Sequence, residues 1–437
     1  MADRLVLEVV DDQLGMLVGE LTAARTRGAE RFTFTYDRAF AVHPKGYDLG
    51  PDLPRTSFAP AFSDRLFGAF TDTAPDRWGR TLVARSLERT PTEAEYLLAV
   101  HDPLRQGALR LRQGDEWQAP VGDIPRVSDL PTLRALAKQT QQLDDPHARS
   151  AAAHLLDMGT GSLGGAHPKV SVVGATGRLC LAKLSTTAEH AATLRNEYAA
   201  LRVAAAVGIV APSPELLGEG PNTTLIVPRF DRTATGGRIG FASAMTLLGR
   251  RDGDRADYLD LAGQLVEAGA PADDQRALWQ RIALGVALNN TDDHLRNHAV
   301  IRAGDRWRLS PIFDVNPNPD RAERHATSLD RENTTAGMAK GLLEAGELMG
   351  VPSREGRAFV KQVYAAVAEE PAFTPRVRAA LNEVRQEVSA ALGRAGRDRP
   401  RGWPGRRQGS DANIATGDGP RSSPARHGGR EGLQQRG

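Results

Sequence analysis

The chain holds one cysteine, Cys180, so no internal disulfide can form and a reducing compartment is expected. Long hydrophobic runs are missing: the longest, Val203 to Ala211, is too short to cross a bilayer. No secretory segment is visible at the start, where Asp3, Arg4, Glu8, Asp11 and Asp12 interrupt the apolar residues. An excess of charge is missing too. The 56 basic and 54 acidic side chains leave +2, which argues against wholesale nucleic-acid binding. No internal repeat of about 20 to 50 residues stands out. The expectation from these absences is a cytoplasmic, enzyme-sized protein with no membrane partner.

What is present is ordinary globular composition. Of 437 residues, 40% are hydrophobic and 25% charged, which excludes disorder throughout, collagen and fibre. At about 150 residues per domain, the length predicts two or three domains. Residues 394–437 stand apart, with ten Arg against four acids and almost no aliphatics. Such a tail cannot offset its chain entropy and is expected to be disordered, either as a polyanion-binding arm or as a dispensable extension.

The rest divides by pattern. Over 1–125, two apolar runs flank Asp11-Asp12-Gln13-Leu14-Gly15 and predict a hairpin. Arg31 to Asp37 alternates, with Phe32, Phe34 and Tyr36 on one face of a strand. From Phe62 the period turns helical, and Pro75 is placed to open a helix through Trp78 and Leu82. Residues 112–131 read as a linker. Over 128–235 the pattern predicts a helix at 133–156, strands at 170–173 and 179–184, a helix at 195–207 and a strand at 224–228. Over 236–393 it is mainly helical, with stripes Tyr258, Leu261, Leu265 and Leu278, Ile282, Val286.

Four features of chemical interest follow in order. Gly159, Gly161 and Gly164 form G-x-G-x-x-G, whose backbone N–H groups can approach phosphate without a Cβ in the way. Alone the match is weak, since ordinary turns show it too. A helix precedes it and a strand follows, which is not the dinucleotide-binding arrangement. Lys183 shares a strand face with Leu179 and Leu181, and an ammonium there wants an anion. It suits the strand lysine of kinases, with Glu197 as candidate partner; a snorkelling lysine and a solvated glutamate are the plainer accounts. Asp292 and Asn297 have the D-x-x-x-x-N spacing of a kinase catalytic loop, after a helix that Asn289-Asn290 is expected to stop. Asp314 then ends an apolar strand, after a hairpin turning at Ala303-Gly304-Asp305, where a kinase places a metal ligand.

Other chemistries fit less well. His294 and His298 are four apart, as in zinc hydrolases, but the general-base glutamate is missing. Cys180 falls on a strand beside apolar neighbours and reads as a structural thiol.

The segments GSLGGAHPK (161–169), LAKL (181–184), RNEY (195–198), PRFDR (228–232), NNTDDHLRNH (289–298) and LSPIFDVNP (309–317), with PDRWGR (75–80) upstream, resemble the HipA-type toxin kinases of bacterial type II toxin–antitoxin systems. The resemblance covers about residues 4 to 390 and leaves out the basic tail. It implies an α+β, protein-kinase-like bilobal fold with an N-terminal mixed α/β subdomain and a mostly helical C-terminal lobe. Its divisions would be an N-terminal domain at 1–125, a small kinase lobe at 128–235 and a helical lobe at 236–393. It implies a serine/threonine kinase using ATP and Mg²⁺. Gly161, Ser162, Leu163, Gly164, Gly165, Lys183 and His294 would then contact ATP, and Pro228, Arg229 and Phe230 would form the hinge beside adenine. Asp292 would be catalytic, and Asn297 and Asp314 would hold Mg²⁺. Ser162 matches an autophosphorylated serine that shuts the enzyme down. A helix-turn-helix antitoxin would be a partner, with DNA reached through it, and some relatives phosphorylate aminoacyl-tRNA synthetases. Pro228 stands where an acidic hinge residue is expected, and no eukaryotic-type activation loop or A-P-E segment is present. The competing reading is a catalytically silent ATP-binding regulator.

Overall fold

Period-two patterning at the start of the chain becomes an antiparallel sheet in this computed structural model, which describes residues 4–26, 28–56, 58–118, 123–142, 147–159 and 167–394. Its strands are β1 (Arg4–Asp11), β2 (Met16–Thr26), β3 (Ala29–Tyr36), β4 (Ala61–Ser63), β5 (Leu109–Gln113) and β6 (Glu116–Trp117), ordered β4-β3-β2-β1-β5-β6. The β1–β2 hairpin is present, with a bulge between Val9 and Val10 that raises the local twist. Phe32, Phe34 and Tyr36 are buried on one face of β3, as alternation requires. Helices α1 (Arg38–Val42), α2 (Gly68–Thr71), α3 (Arg77–Leu87) and α4 (Glu93–Leu98) lie between the strands.

Two expectations fail here. Phe62 does not begin a helix: it pairs with Thr33 on β4 and is 78% exposed. The helical spacing arises because Leu66, Phe67 and Phe70, on a loop and a short helix, all turn into one core. The helix expected to open at Pro75 is present as α3, which holds Trp78 and Leu82; Asp76 caps it, accepting the Gly79 N–H at 2.6 Å. The linker expected at 112–131 is partly a hairpin, because Trp117 lies over the Arg110 guanidinium at 3.5 Å and gives β6 a packed face.

The second sheet holds β7 (Lys169–Val173), β8 (Leu179–Leu184), β9 (Glu215–Leu217) and β10 (Thr224–Pro228), ordered β7-β8-β10-β9. The single helix expected at 133–156 is two, α5 (Leu130–Gln141) and α6 (Ala148–Asp157). Pro146, between them, lacks the N–H that a helix interior needs. Helix α7 (Ala188–Ala206) starts before the expected residue 195, because Thr187 caps it by accepting the His190 N–H at 3.1 Å.

The remaining part holds helices α8 (Ala244–Leu247), α9 (Tyr258–Glu267), α10 (Ala272–Ala287), α11 (Thr335–Leu348), α12 (Ser353–Glu369) and α13 (Pro375–Arg394). Both expected apolar stripes are buried. The hairpin expected to turn at Ala303-Gly304-Asp305 is present as β13 (Ala299–Ala303) and β14 (Arg306–Leu309), while helical periodicity hid three short strands, β11 (Phe241–Ser243), β12 (Ala256–Asp257) and β15 (Thr327–Ser328). The strand expected to run into Asp314 ends at Leu309, and Asp314 is in left-handed backbone at φ 56°. Aspartate tolerates that region better than most residues, and it breaks the pleat.

All described residues belong to one compact unit, Met1–Arg397. Trp78 and Leu82 of α3 join a core with α5, α6 and the second sheet, including Val170, Cys180 and Ala182. A large apolar side chain such as Leu82 or Val170 contributes about 1.5–3 kcal/mol by leaving water. The first segment therefore helps to position the sheet that carries Lys183. Among the described residues no helix is long and apolar enough to cross a membrane.

Candidate active site

Alternation on β8 turns Cys180, Ala182 and Leu184 into the core and leaves Lys183 on the half-buried face with Leu179 and Leu181. That face borders a cleft of about 1780 Å³ between the second sheet and the helical part. Lys183 Nζ lies 2.6 Å from Glu197 Oε1 on α7 and 2.7 Å from Asp314 Oδ1. Burial works against the ammonium, but Asp314 and Glu197 outweigh it and hold it above its ordinary range. Burial also opposes the Asp314 carboxylate, yet Lys183 and Lys169 hold it well below the usual carboxylate range. Burial pushes the Glu197 carboxyl up, against the pull of Lys183.

On the opposite wall, α10 stops where Asn289 adopts left-handed backbone at φ 51° and the Asn290 N–H returns to Gly285 O at 2.8 Å. The loop that follows is pinned from below. Thr335 donates to Asn289 Oδ1 at 2.6 Å, and Asn289 Nδ2 donates to Asn318 O at 2.9 Å. The two adjacent aspartates then part. Asp293 is buried, accepting from the Tyr258 hydroxyl and lying 3.0 Å from His298 Nε2. Asp292 is exposed to the cleft. Partial enclosure raises its carboxyl, with His294 opposing and Asp314 reinforcing that shift.

Asn297 is buried and donates Nδ2 to the Asp292 carbonyl at 3.0 Å, which leaves its amide oxygen as the end available to a cation. Asp292, His294, Asn297, Asp314, Lys183 and Glu197 thus line one cleft. His298, by contrast, is packed against Tyr258 beneath the loop, so it and His294 face different surroundings. Burial pushes the Cys180 thiol up, which suits a structural rather than a reactive role.

The donor set fits a hard cation. Asn297 and Asp314 offer oxygens, and the neighbouring Asn316 Oδ1 is buried with no hydrogen-bond partner. Among the described residues no three His, Cys, Asp or Glu side chains group to hold a metal by themselves. An ion here would need the asparagines and ligand oxygens.

The hinge segment is only partly directed at the cleft. Arg229 is buried, with Nε and Nη2 on Asp231 at 2.9 and 2.6 Å and Nη1 on Leu104 O at 2.7 Å. Its N–H goes to Leu179 O at 3.0 Å. What 228–230 offers a planar base is carbonyl oxygens and the Phe230 ring, beside Phe313 at 5.2 Å. Gly161, Ser162, Leu163, Gly164 and Gly165 lie outside the described residues, as does the chain from Ala395 onward.

Gly159, just before that segment, has φ 73°, and a Cβ there would collide with Leu104 and approach His101 Nδ1 at 3.2 Å. Gly159→Ala is expected to cost about 1–3 kcal/mol. Urea unfolding measures it; an unchanged midpoint would show that the site yields freely.

Several cleft residues escaped the sequence reading. Lys169 pairs with Lys183 across β7–β8 and is neutralised by Asp76, 3.1 Å away, both nearly fully buried. Asp76 thus caps α3 and holds β7 at once. His167 and His190 stack with ring centroids 4.0 Å apart, and burial lowers both. Asn316 donates to Asp314 Oδ1 at 3.1 Å. Its place two residues after Asp314 was the only available signal.

The chain resembles Y4mE of Sinorhizobium fredii (strain NBRC 101917 / NGR234), with 24% identity over 353 residues, 74% of this chain and 81% of that one. In structure it is similar to HipA of Shewanella oneidensis MR-1, from the complex of that toxin–antitoxin system's HipA and HipB with operator DNA. The TM-score is 0.62 at 15% identity, covering 89% of this chain and 97% of that one. The likeness shows the fold, which is α+β and kinase-like. Residues 13–112 match the HipA N-terminal domain and residues 161–389 the HipA-like C-terminal domain. The second match alone spans more than half of the sequence and encloses every residue from Lys183 to Asp314, so the chain belongs to the HipA family.

Proposed function

We propose that the chain is a protein kinase that moves the γ-phosphoryl group of ATP to a serine or threonine hydroxyl. The observation that carries this reading is the Lys183–Glu197–Asp314 junction, which lines the same cleft as Asp292 and Asn297. Lys183 offers the triphosphate a positive charge already held in place by two carboxylates. Asp292 accepts or orients the proton of the incoming hydroxyl. Asn297 and Asp314 would hold Mg²⁺, which neutralises phosphate charge when bound. His294 and the 161–165 amides would contact the nucleotide, with the Pro228 carbonyl and the Phe230 ring beside the base. Positioning and electrostatics carry the catalysis.

Three finer assignments go with this reading. Ser162 would be autophosphorylated, and a dianion there would repel ATP phosphates. A helix-turn-helix antitoxin would neutralise the chain and link it to DNA, by likeness to the Shewanella complex. The acceptor would be a protein, with an aminoacyl-tRNA synthetase as the family precedent.

Mass spectrometry of the purified protein after incubation with MgATP tests transfer and locates the modified residue together. Phosphate on Ser162 or on an added acceptor is expected, and none on any protein would count against the reading. Lys183→Met is expected to raise KM for ATP about 10- to 100-fold, the loss of a charge-assisted contact. Chelation by EDTA should stop transfer, and undiminished transfer would remove the divalent ion from the scheme.

A further inference from the structure

We propose that a small cavity beneath the catalytic loop binds one water molecule, and that Arg281 of α10 acts through it as a positioning residue for that loop. The water site stands on geometry alone. Its effect on phosphoryl transfer rests on the kinase reading.

The cavity has a volume of about 10 Å³. That is the room a single water needs. Its walls adjoin each group proposed for the chemistry. Asp293 is next to Asp292, His298 is next to Asn297, and Phe313 and Val315 stand on either side of Asp314. Asn297 and Phe313 also line the main cleft, so the two spaces share a wall. Helix α10 contributes Arg281 and Gly285.

Arg281 is 3% exposed. Its Nη2 donates to Ser310 O, but Nε and Nη1 are buried and meet no hydrogen-bond partner among the described residues. Burial lowers the guanidinium to about 10, with Asp274 and Asp293 opposing, so it stays charged at neutral pH. Both carboxylates are engaged elsewhere. Asp274 lies 3.0 Å from Arg308 and accepts the Leu309 N–H at 2.8 Å. Asp293 lies 3.0 Å from His298 Nε2 and accepts from the Tyr258 hydroxyl. His298 is equally buried, and its Nδ1 also lacks a partner among the described residues. A buried cation with idle donors is costly, and a water that accepts from it removes the cost.

An ion suits the cavity less well. Asp293 opposes an anion there, and Arg281 opposes a cation. A neutral molecule that both accepts and donates satisfies the two sides together. The bridge so formed ties α10 to the segment that carries Asp292 and Asn297.

Gly285 supplies the test. Outside its own helix, a Cβ on Gly285 would meet only Asp293 Oδ2, at 3.7 Å. Gly285→Ala therefore puts a methyl into the cavity without a collision and displaces the water. In a dry cavity the same change would stabilise the protein, because alanine favours helix over glycine. Gly285→Ser instead brings a hydroxyl that can accept from Arg281 and donate to Asp293.

The full-length protein and both variants are compared by urea unfolding and by transfer kinetics, and the wild type by a high-resolution crystal structure. The alanine variant is expected to lower the urea midpoint and to cut kcat about 10- to 100-fold, with KM for ATP little changed. The serine variant should recover most of both losses. The crystal structure should show one water within hydrogen-bond reach of Arg281. A raised midpoint in the alanine variant, a serine variant as impaired as alanine, or an ion in place of the water would overturn the inference. A lowered midpoint with unchanged kcat would overturn the positioning role. Absence of any transfer by the wild type would remove the kinase reading, while unfolding and crystallography would still decide the water site.

Discussion

Replacing Asp292 with asparagine is expected to cut phosphoryl transfer by about 10²–10⁴-fold, the range for losing a positioned proton acceptor. ATP affinity should stay nearly unchanged. Asparagine keeps the shape and one acceptor oxygen, but it cannot take a proton. Asp292 is open to the cleft and its side chain anchors nothing below the loop, so the fold should be indifferent. Asp293→Asn provides the contrast. That carboxylate is buried between the Tyr258 hydroxyl and His298, so its loss should lower stability before it touches chemistry. Single-turnover transfer, equilibrium ATP binding and urea unfolding of both variants separate the two roles. Wild-type transfer by Asp292→Asn would end the proposed mechanism. Equal loss of ATP binding would move Asp292 from catalysis to nucleotide binding.

The second large effect concerns Asp231. This buried carboxylate accepts from Arg229 at 2.6 Å, Arg232 at 2.8 Å and the Gly107 N–H at 2.9 Å. Arg229 and Arg232 in turn hold Leu104 O, Arg105 O and Pro103 O, which fastens the hinge to the segment before β5. Asp231→Asn leaves two buried guanidinium groups without a countercharge, and breaking such a group typically costs about 3–5 kcal/mol. Urea denaturation measures it, and a loss below about 1 kcal/mol would show a network worth no more than exposed pairs.

The pH dependence has a definite sign. Burial opposes the Asp231 carboxylate, but Arg229 and Arg232 hold it well below the ordinary range. Its contribution is therefore complete above the unfolded aspartate value of about 3.9 and is lost as pH falls below it. The gap between wild type and Asp231→Asn should narrow in acid. A gap constant down to strongly acidic pH would show that the carboxylate holds its proton equally well in the native and unfolded states, and that the two arginines do not favour its charged form.

Legibility varied with the range of the interaction. Strands at 179–184 and 224–228 were visible because each is a short β-rich run, and the structure ends both at the expected residues. Phe62 misled because its apolar spacing with Leu66, Phe67 and Phe70 records a shared core, not a shared helix. In the site, spacing singled out Lys183, Asp292, Asn297 and Asp314, since those chemistries need fixed local neighbours. Lys169 and Asp76 were missed because their pairing joins β7 to the cap of a distant helix. The PRFDR segment was visible, but the direction of the Arg229 guanidinium depends on carbonyls of residues 104 and 105.

From the sequence alone came the candidates Lys183, Asp292, Asn297 and Asp314 and the class of most of the longer elements, because residue type, period and spacing are properties of a few neighbouring positions. Tertiary structure alone decided which of two adjacent aspartates is open and which is buried. It also decided that Lys183 answers to two carboxylates. Burial and charge pairing are sums over everything nearby in space, and the chain brings those neighbours together only when it folds.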